Sequence, residues 1–246
     1  MIVLFTDFGL EGPYVGQMKA VLCREAPAVP VIDLFADAPT HDPHAAAYLL
    51  AAYAGGFPPG TVFLCVVDPG VGSERLPLVV EADGRWYVGP DNGLFNMVAR
   101  RAEALRCWQI TWRPSRLSAT FHGRDLFAPV AARLARGEAA PGEPLDTAVV
   151  VDDSWPDDYA CIVYVDHFGN AMTGIRGAVL PRDAVLGVKS WRIAYARTYA
   201  EAPPGVPFWY ENANGLVEIA INGGRAVDLL HLCPGEPVNA PALARE

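Results

Sequence analysis

Basic residues are in deficit in this chain: 19 lysines and arginines stand against 28 aspartates and glutamates, a formal charge of -9 at pH 7. A nucleic-acid partner needs clustered cations to neutralise its phosphates, so this balance argues against one. A small cationic or zwitterionic ligand suits it better. Cysteines are few and odd in number: Cys23, Cys65, Cys107, Cys161 and Cys233, with no C-x-x-C pair. A disulfide framework and a structural zinc site are both disfavoured, and the five read as reduced, buried small hydrophobes. No basic stretch leads into an apolar run at Met1, and no run is long enough to span a bilayer, so the expectation is a cytoplasmic protein without a membrane partner. Also missing are a P-loop Gly-Lys-Ser/Thr, a G-x-G-x-x-G after a strand, and an H-x-x-x-H pair; nothing therefore calls for a nucleotide cofactor or a metal.

What is present is a well-packed globular composition, 52% hydrophobic and 10% aromatic, free of the marks of disorder. Short β-rich runs at residues 2–5, 31–34 and 61–67 alternate with helical stretches at 14–25 and 43–53. That is the grammar of βαβ units. Asp42 caps the second helix and Pro43 opens it, as both residue types prefer. Further strands are expected at 78–81, 85–88 and 107–111, with Asp83-Gly84 as a hairpin turn, and further helices at 94–101 and 125–136. Residues 136–144 hold few apolar side chains and two prolines, and read as a linker or long loop. From residue 159 the pattern is short strands, such as 160–165 and 216–221, between Gly, Pro and Asn turns. The expected fold class is α/β: an N-terminal, mainly parallel sheet flanked by helices over 1–150, then a smaller all-β, barrel-like domain over 157–246.

Several loops combine residue types that do chemistry. Thr6-Asp7-Phe8-Gly9 follows the first strand, where open sheets bind ligands, and Asp7 could accept two ribose hydroxyls or simply cap a turn. Asp68-Pro69-Gly70-Val71-Gly72 through Arg75 follows another strand. Its acid and base are either functional or a surface turn pair. In Gly89-Pro90-Asp91-Asn92-Gly93 the preferred role of Asp91 is to cap the next helix. Phe121-His122-Gly123-Arg124-Asp125 puts an imidazole, a guanidinium and a carboxylate just before a helix that Asp125 could cap; His122 alone would read as structural. Asp166-His167-Phe168-Gly169-Asn170 offers a carboxylate, an aromatic face and an amide, a set suited to a flat heteroaromatic base.

In this order, these motifs resemble the S-adenosylmethionine hydroxide adenosyltransferases, relatives of the fluorinases and chlorinases, and the resemblance spans nearly the whole chain. It implies hydrolysis of S-adenosyl-L-methionine to adenosine and L-methionine, with no cofactor. It also implies a homotrimer whose active sites lie between the N-domain of one subunit and the C-domain of the next. The family's water-activating trio falls on Asp68, Arg75 and His122, and its ribose-binding aspartate on Asp7. Phe121 and Gly123 fall among the substrate-binding positions, and Asp166, Phe168 and Asn170 match positions that contact the methionine moiety and the adenine. Halogenating relatives carry Tyr at the place of Asp68 and Ser at the place of Gly123, so the chain resembles the water-using branch. Ala213 and His41 depart from a serine at the methionine end and an aromatic on the ribose.

The sulfonium leaves as a neutral thioether, so the enzyme's task is to aim and activate water at C5′. Asp68 or His122 can take the proton while Arg75 stabilises developing hydroxide. Sequence leaves that choice open. Three alternatives remain: transfer of a halide, a non-catalytic adenosine-binding module, and a metal-dependent hydrolase with Asp7, Asp68, His122 and Asp125 as ligands.

Overall fold

The computed structural model describes residues 1–240 and 243. They form two compact units, Met1–Trp155 and a second from Pro156 onward. The first unit runs β1 (Ile2–Thr6), α1 (Tyr14–Glu25), β2 (Val31–Phe35), α2 (Pro43–Ala54), β3 (Val62–Val66), β4 (Pro77–Ala82), β5 (Arg85–Pro90), α3 (Asn96–Arg100), β6 (Leu105–Ile110), α4 (Ala128–Ala135) and β7 (Gly142–Leu145). Its sheet has the order β2-β1-β3-β5-β4-β6-β7. Pairings from β2 to β5 are parallel, and those from β5 to β7 antiparallel.

Strands β1 and β3 are buried at every residue, which is why they read as unbroken apolar runs rather than alternating ones. Alternate residues Ile2, Leu4, Val62 and Leu64 share one core with Met18 and Leu22 of α1 and Val130 and Ala131 of α4. Each fully buried aliphatic side chain there contributes about 1.5–3 kcal/mol. Helix α2 begins as its sequence requires, with Asp42 accepting from the Ala45 N–H at 2.9 Å and Pro43 in the first turn. Asp83 and Gly84 both take positive φ, 49° and 74°, the geometry of the expected β4–β5 hairpin turn.

Three local readings change. Residues 142–144, expected in a linker, belong to β7 on the outer edge of the sheet; Pro144 is tolerated because an edge strand leaves one side of its backbone unpaired. The helix expected from Asp125 begins instead as a π-turn over Gly123–Phe127 that runs into α4. Of the cysteines, Cys65 and Cys107 are buried, but Cys23 and Cys233 are exposed.

The second unit comprises β8 (Tyr159–Val165), β9 (Ala171–Arg176), β10 (Leu186–Val188), β11 (Trp191–Tyr195), β12 (Pro207–Glu211), β13 (Leu216–Ile221) and a short α5 (Ala226–Leu230). Its strands pair as β10-β11-β12-β13-β9-β8, a curled half-barrel antiparallel at every step but β11–β12. Ile175, Ile193, Trp209, Val217 and Ile219 fill its interior.

Candidate active site

Because β1 and β3 run parallel and adjacent, the loops that follow them leave the same edge of the sheet, the edge at which open α/β sheets bind ligands. A cavity of about 260 Å³ opens there, with Asp7, Asp68, Phe121, His122 and Gly123 in its wall.

The loop after β3 folds back on itself through turns that close from Val71 N to Asp68 O and from Ser73 N to Gly70 O. Gly72 makes this reversal possible: its φ is +84°, and a Cβ would stand 2.8 Å from the Ala119 carbonyl oxygen. An L side chain disfavours that backbone region, and here it would also find no room. Arg75 is thereby returned to Asp68. Its Nε donates to Asp68 Oδ1 at 2.5 Å and its Nη2 to Oδ2, a two-pronged pair whose side chains are only 8% and 4% exposed. A surface turn pair this is not. The guanidinium also lies over the buried Phe127 ring, 5.5 Å from its centroid.

His122 completes the trio across 47 residues of sequence, its Nδ1 lying 3.2 Å from Arg75 Nη2. A guanidinium can only donate, so Nδ1 is the acceptor and the neutral ring carries its proton on Nε2. Burial, and then the charge of Arg75, hold the His122 pKa below the usual 6.5. The Val67 carbonyl, one residue before Asp68, receives the Asn92 Nδ2 at 2.9 Å. Asn92 Oδ1 in turn accepts from Leu94 N at 3.3 Å, and α3 has no side-chain cap. The Gly-Pro-Asp-Asn-Gly motif thus works through Asn92; Asp91 does not cap the helix, which starts too far along the chain for it.

Asp7 stands at the end of β1 and accepts the His41 backbone N–H on Oδ2 at 2.9 Å. Burial raises its pKa, opposed chiefly by that N–H bond. His41 meets it from a left-handed conformation, φ 56°, of the kind that concentrates at binding sites. Phe8, Tyr14 and Phe121 form an edge-to-face and tilted cluster with centroids 5.5–5.8 Å apart. A Cβ on Gly123 would lie 3.2 Å from Met18 Sδ and 3.4 Å from Phe8. Tyr14 and Thr120 also line the cavity; nothing in its spacing marked Tyr14 in the sequence.

Arg124 and Asp125 are engaged elsewhere. Asp125 accepts from Arg124 Nε at 2.6 Å and from Ser118 N at 2.9 Å, and Arg124 Nη1 donates to Gln17 at 2.8 Å. Asp125 is therefore a loop clamp rather than the helix cap or metal ligand considered above. Among the described residues no group of three or more His, Cys, Asp and Glu side chains is arranged to hold a metal. A second cavity in this unit, about 290 Å³, is lined by Asp91, Asn96 and Trp155 among others. None of its lining residues is a histidine, lysine or arginine.

In the second unit Asp166, Phe168 and Asn170 occupy the β8–β9 turn. Asp166 accepts from Asn170 N at 2.8 Å and from Asn170 Nδ2 at 2.9 Å, which fixes the amide, while Phe168 is 71% exposed. Phe168 and Asn170 line a cavity of about 390 Å³ with Tyr199, Ile221, Gly223 and Gly224. Behind it lies Glu218, only 3% exposed, which sequence reasoning passed over. Its signal was legible: one acid inside the apolar strand Leu-Val-Glu-Ile-Ala-Ile.

Two family descriptions match the chain: the SAM hydroxide adenosyltransferase N-terminal domain over residues 2–143 and the corresponding C-terminal domain over 160–239. An (R)-S-adenosyl-L-methionine hydrolase of Thermus thermophilus is 41% identical over 96% of this chain and 98% of its own length. One from Salinispora arenicola is 40% identical over 96% of both. A fluorinase of Nocardia brasiliensis is more distant, 23% identical over 90% of each. A crystal structure of an uncharacterized conserved protein from Thermotoga maritima matches with a TM-score of 0.85, at 30% identity over 97% of this chain and 98% of that one.

Proposed function

The chain belongs to the SAM hydroxide adenosyltransferase family, and we propose that it hydrolyses S-adenosyl-L-methionine to adenosine and L-methionine, with Asp68, Arg75 and His122 as its reactive centre. The observation that carries this reading is the buried pairing of Asp68 with Arg75 and the part-buried contact of Arg75 with His122. A water oxygen attacks C5′, the C5′–S bond breaks, and its electron pair neutralises the sulfonium as a thioether. No general acid is needed for the leaving group. One water proton must be taken up. His122 already has Nε2 protonated and Nδ1 engaged by Arg75, so Asp68 is the better acceptor, with lone pairs beyond those given to Arg75. His122 Nε2–H orients the water, and Arg75 stabilises the hydroxide as it forms.

Asp7 holds the ribose hydroxyls and so aims C5′. Phe121 and Gly123 shape the apolar wall, which favours a transition state in which charge is dispersed. Asp166, Phe168 and Asn170 hold the methionine moiety and the adenine. We further propose a homotrimer, with sites completed between subunits. In support, the first unit's cavity, about 260 Å³, is below the ~300–1,000 Å³ usual for a ligand site. Unpaired thiols fit a reducing, cytoplasmic setting, and no described helix is long and apolar enough to cross a membrane. The partner proposed is the small molecule S-adenosyl-L-methionine, the substrate named for the curated relatives.

Incubation with S-adenosylmethionine in ¹⁸O water, followed by mass spectrometry, tests the reaction. Label at the 5′ oxygen of adenosine is the expected result. Binding without adenosine release would favour a non-catalytic adenosine-binding module, and a 5′-halo product a halide transferase. Light scattering on the eluting protein tests the trimer.

A further inference from the structure

In the second unit a line of hydrogen bonds runs from buried Glu218 to the cavity wall. Tyr210 of β12 sits directly across from Glu218 of β13, and its hydroxyl donates to Oε1 at 2.5 Å. Asn212 Nδ2 donates to Oε2 at 2.8 Å. That amide cannot turn over, because its Oδ1 already accepts the N–H groups of Asn214 and Leu216, at 3.0 and 3.1 Å. The Tyr199 hydroxyl lies 3.3 Å from that of Tyr210, and Tyr199 lines the cavity beside Phe168 and Asn170.

With Glu218 ionised, counting protons gives this line a direction. Burial raises the Glu218 pKa, opposed chiefly by the Tyr210 and Asn212 donors; held ionised by those two donors, the carboxylate accepts only. Tyr210 has one proton and gives it to Glu218, so its oxygen must accept from Tyr199. Tyr199 has then spent its own proton inward. Its oxygen is left with only lone pairs to offer, one of them toward the neighbouring Asn170 amide and one free for a ligand, and a chain of this kind polarises each member in the same sense.

We propose that ionised Glu218, acting through Tyr210, makes Tyr199 a hydrogen-bond acceptor on the cavity wall and so selects a substrate carrying an N–H donor at that point. This rests on the reading of the cavity as part of the S-adenosylmethionine site. Two groups of that substrate have the required chemistry, the 6-amino group of the base and the α-ammonium of the amino acid. Glu218 and Tyr210 are positioning residues, and Tyr199 the specificity contact.

The test measures Kd by calorimetry, and kcat separately, for the wild-type chain and for Tyr199→Phe and Glu218→Gln. The ligands are S-adenosylmethionine, its 6-oxopurine analogue and its analogue without the α-amino group. Glu218→Gln should reverse the line. Asn212 continues to donate, the new amide NH₂ faces Tyr210, Tyr210 donates to Tyr199, and Tyr199 donates outward. In wild type, one analogue should bind about tenfold more weakly, the scale of one hydrogen bond. That analogue names the contacted group. In both variants S-adenosylmethionine should weaken by the same factor, with no further loss for that analogue and kcat little changed. The proposal is overturned if Tyr199→Phe binds S-adenosylmethionine as wild type does, or if the penalty of the analogue persists undiminished in either variant. Tyr199→Phe removes one oxygen from a residue that is itself exposed, so it tests the contact even if Glu218→Gln fails to fold. Absence of adenosine release by wild type, with the binding pattern intact, would instead refute only the proposed reaction.

Discussion

Arg75 Nη2 stands 3.2 Å from His122 Nδ1, and since the guanidinium has only protons to offer, the imidazole there must be unprotonated. The contact exists only while His122 is neutral. A protonated ring would set N–H against N–H beside a fixed positive charge.

This leads to a pH prediction. The His122 pKa is lowered from 6.5 by burial and then by Arg75, so the neutral ring persists through neutral pH. Turnover should be flat above 6.5 and fall only as pH drops through the lowered value. Stability follows the same sign: the neutral-ring contribution is present above 6.5 and is lost as pH falls through the folded-state value. A profile of kcat against pH whose His122-dependent fall lay above 6.5 would contradict the assignment. His122→Ala should cost about 10²-fold or more in turnover.

Asp68 and Arg75 are both nearly buried, and removing one strands the other. Asp68→Ala should therefore lower stability by about 3–5 kcal/mol in denaturant unfolding and turnover by about 10²-fold or more. Pairing it with Arg75→Met should restore most of the stability and none of the activity. If activity returned with stability, the pair would be a structural clamp alone.

Gly72→Ala tests the loop that brings the two together. With φ at +84° and the Ala119 oxygen 2.8 Å from the new Cβ, the left-handed backbone alone costs about 1–2 kcal/mol. The steric clash should then displace Arg75. A lowered melting temperature accompanied by a fall in adenosine release is expected; unchanged release would mean that the trio tolerates a moved loop.

Asp7→Asn keeps an acceptor for the His41 N–H but loses the charge proposed above to hold the two ribose hydroxyls. Affinity for S-adenosylmethionine should fall by about tenfold, the scale of one charge-assisted hydrogen bond. Calorimetry showing unchanged affinity would remove Asp7 from ribose binding.

Much of the fold was readable because its signals are local. The apolar runs that became β1 and β3, the Asp42-Pro43 start of α2 and the Asp83-Gly84 turn each state a backbone preference within a few residues. The strand β7 was hidden because an edge strand with Pro144 has the composition of a loop, and only its pairing with β6 distinguishes the two. Asp91 and Asn92 are equally good caps in sequence. The choice between them was made by the Val67 carbonyl, which only an amide can meet as a donor.

The chain by itself determined which chemical groups end the strands, and in what order, and that order identifies the family. Composition and spacing also set the α/β and β pattern, since periodicity follows directly from backbone geometry. Only tertiary structure decided that Asp68 and Arg75 are a buried pair, that His122 turns Nδ1 to the Arg75 guanidinium, and that Tyr210 and Tyr199 link buried Glu218 to a cavity. Protonation and hydrogen-bond direction depend on burial and on neighbours brought from distant segments, and no local pattern encodes either.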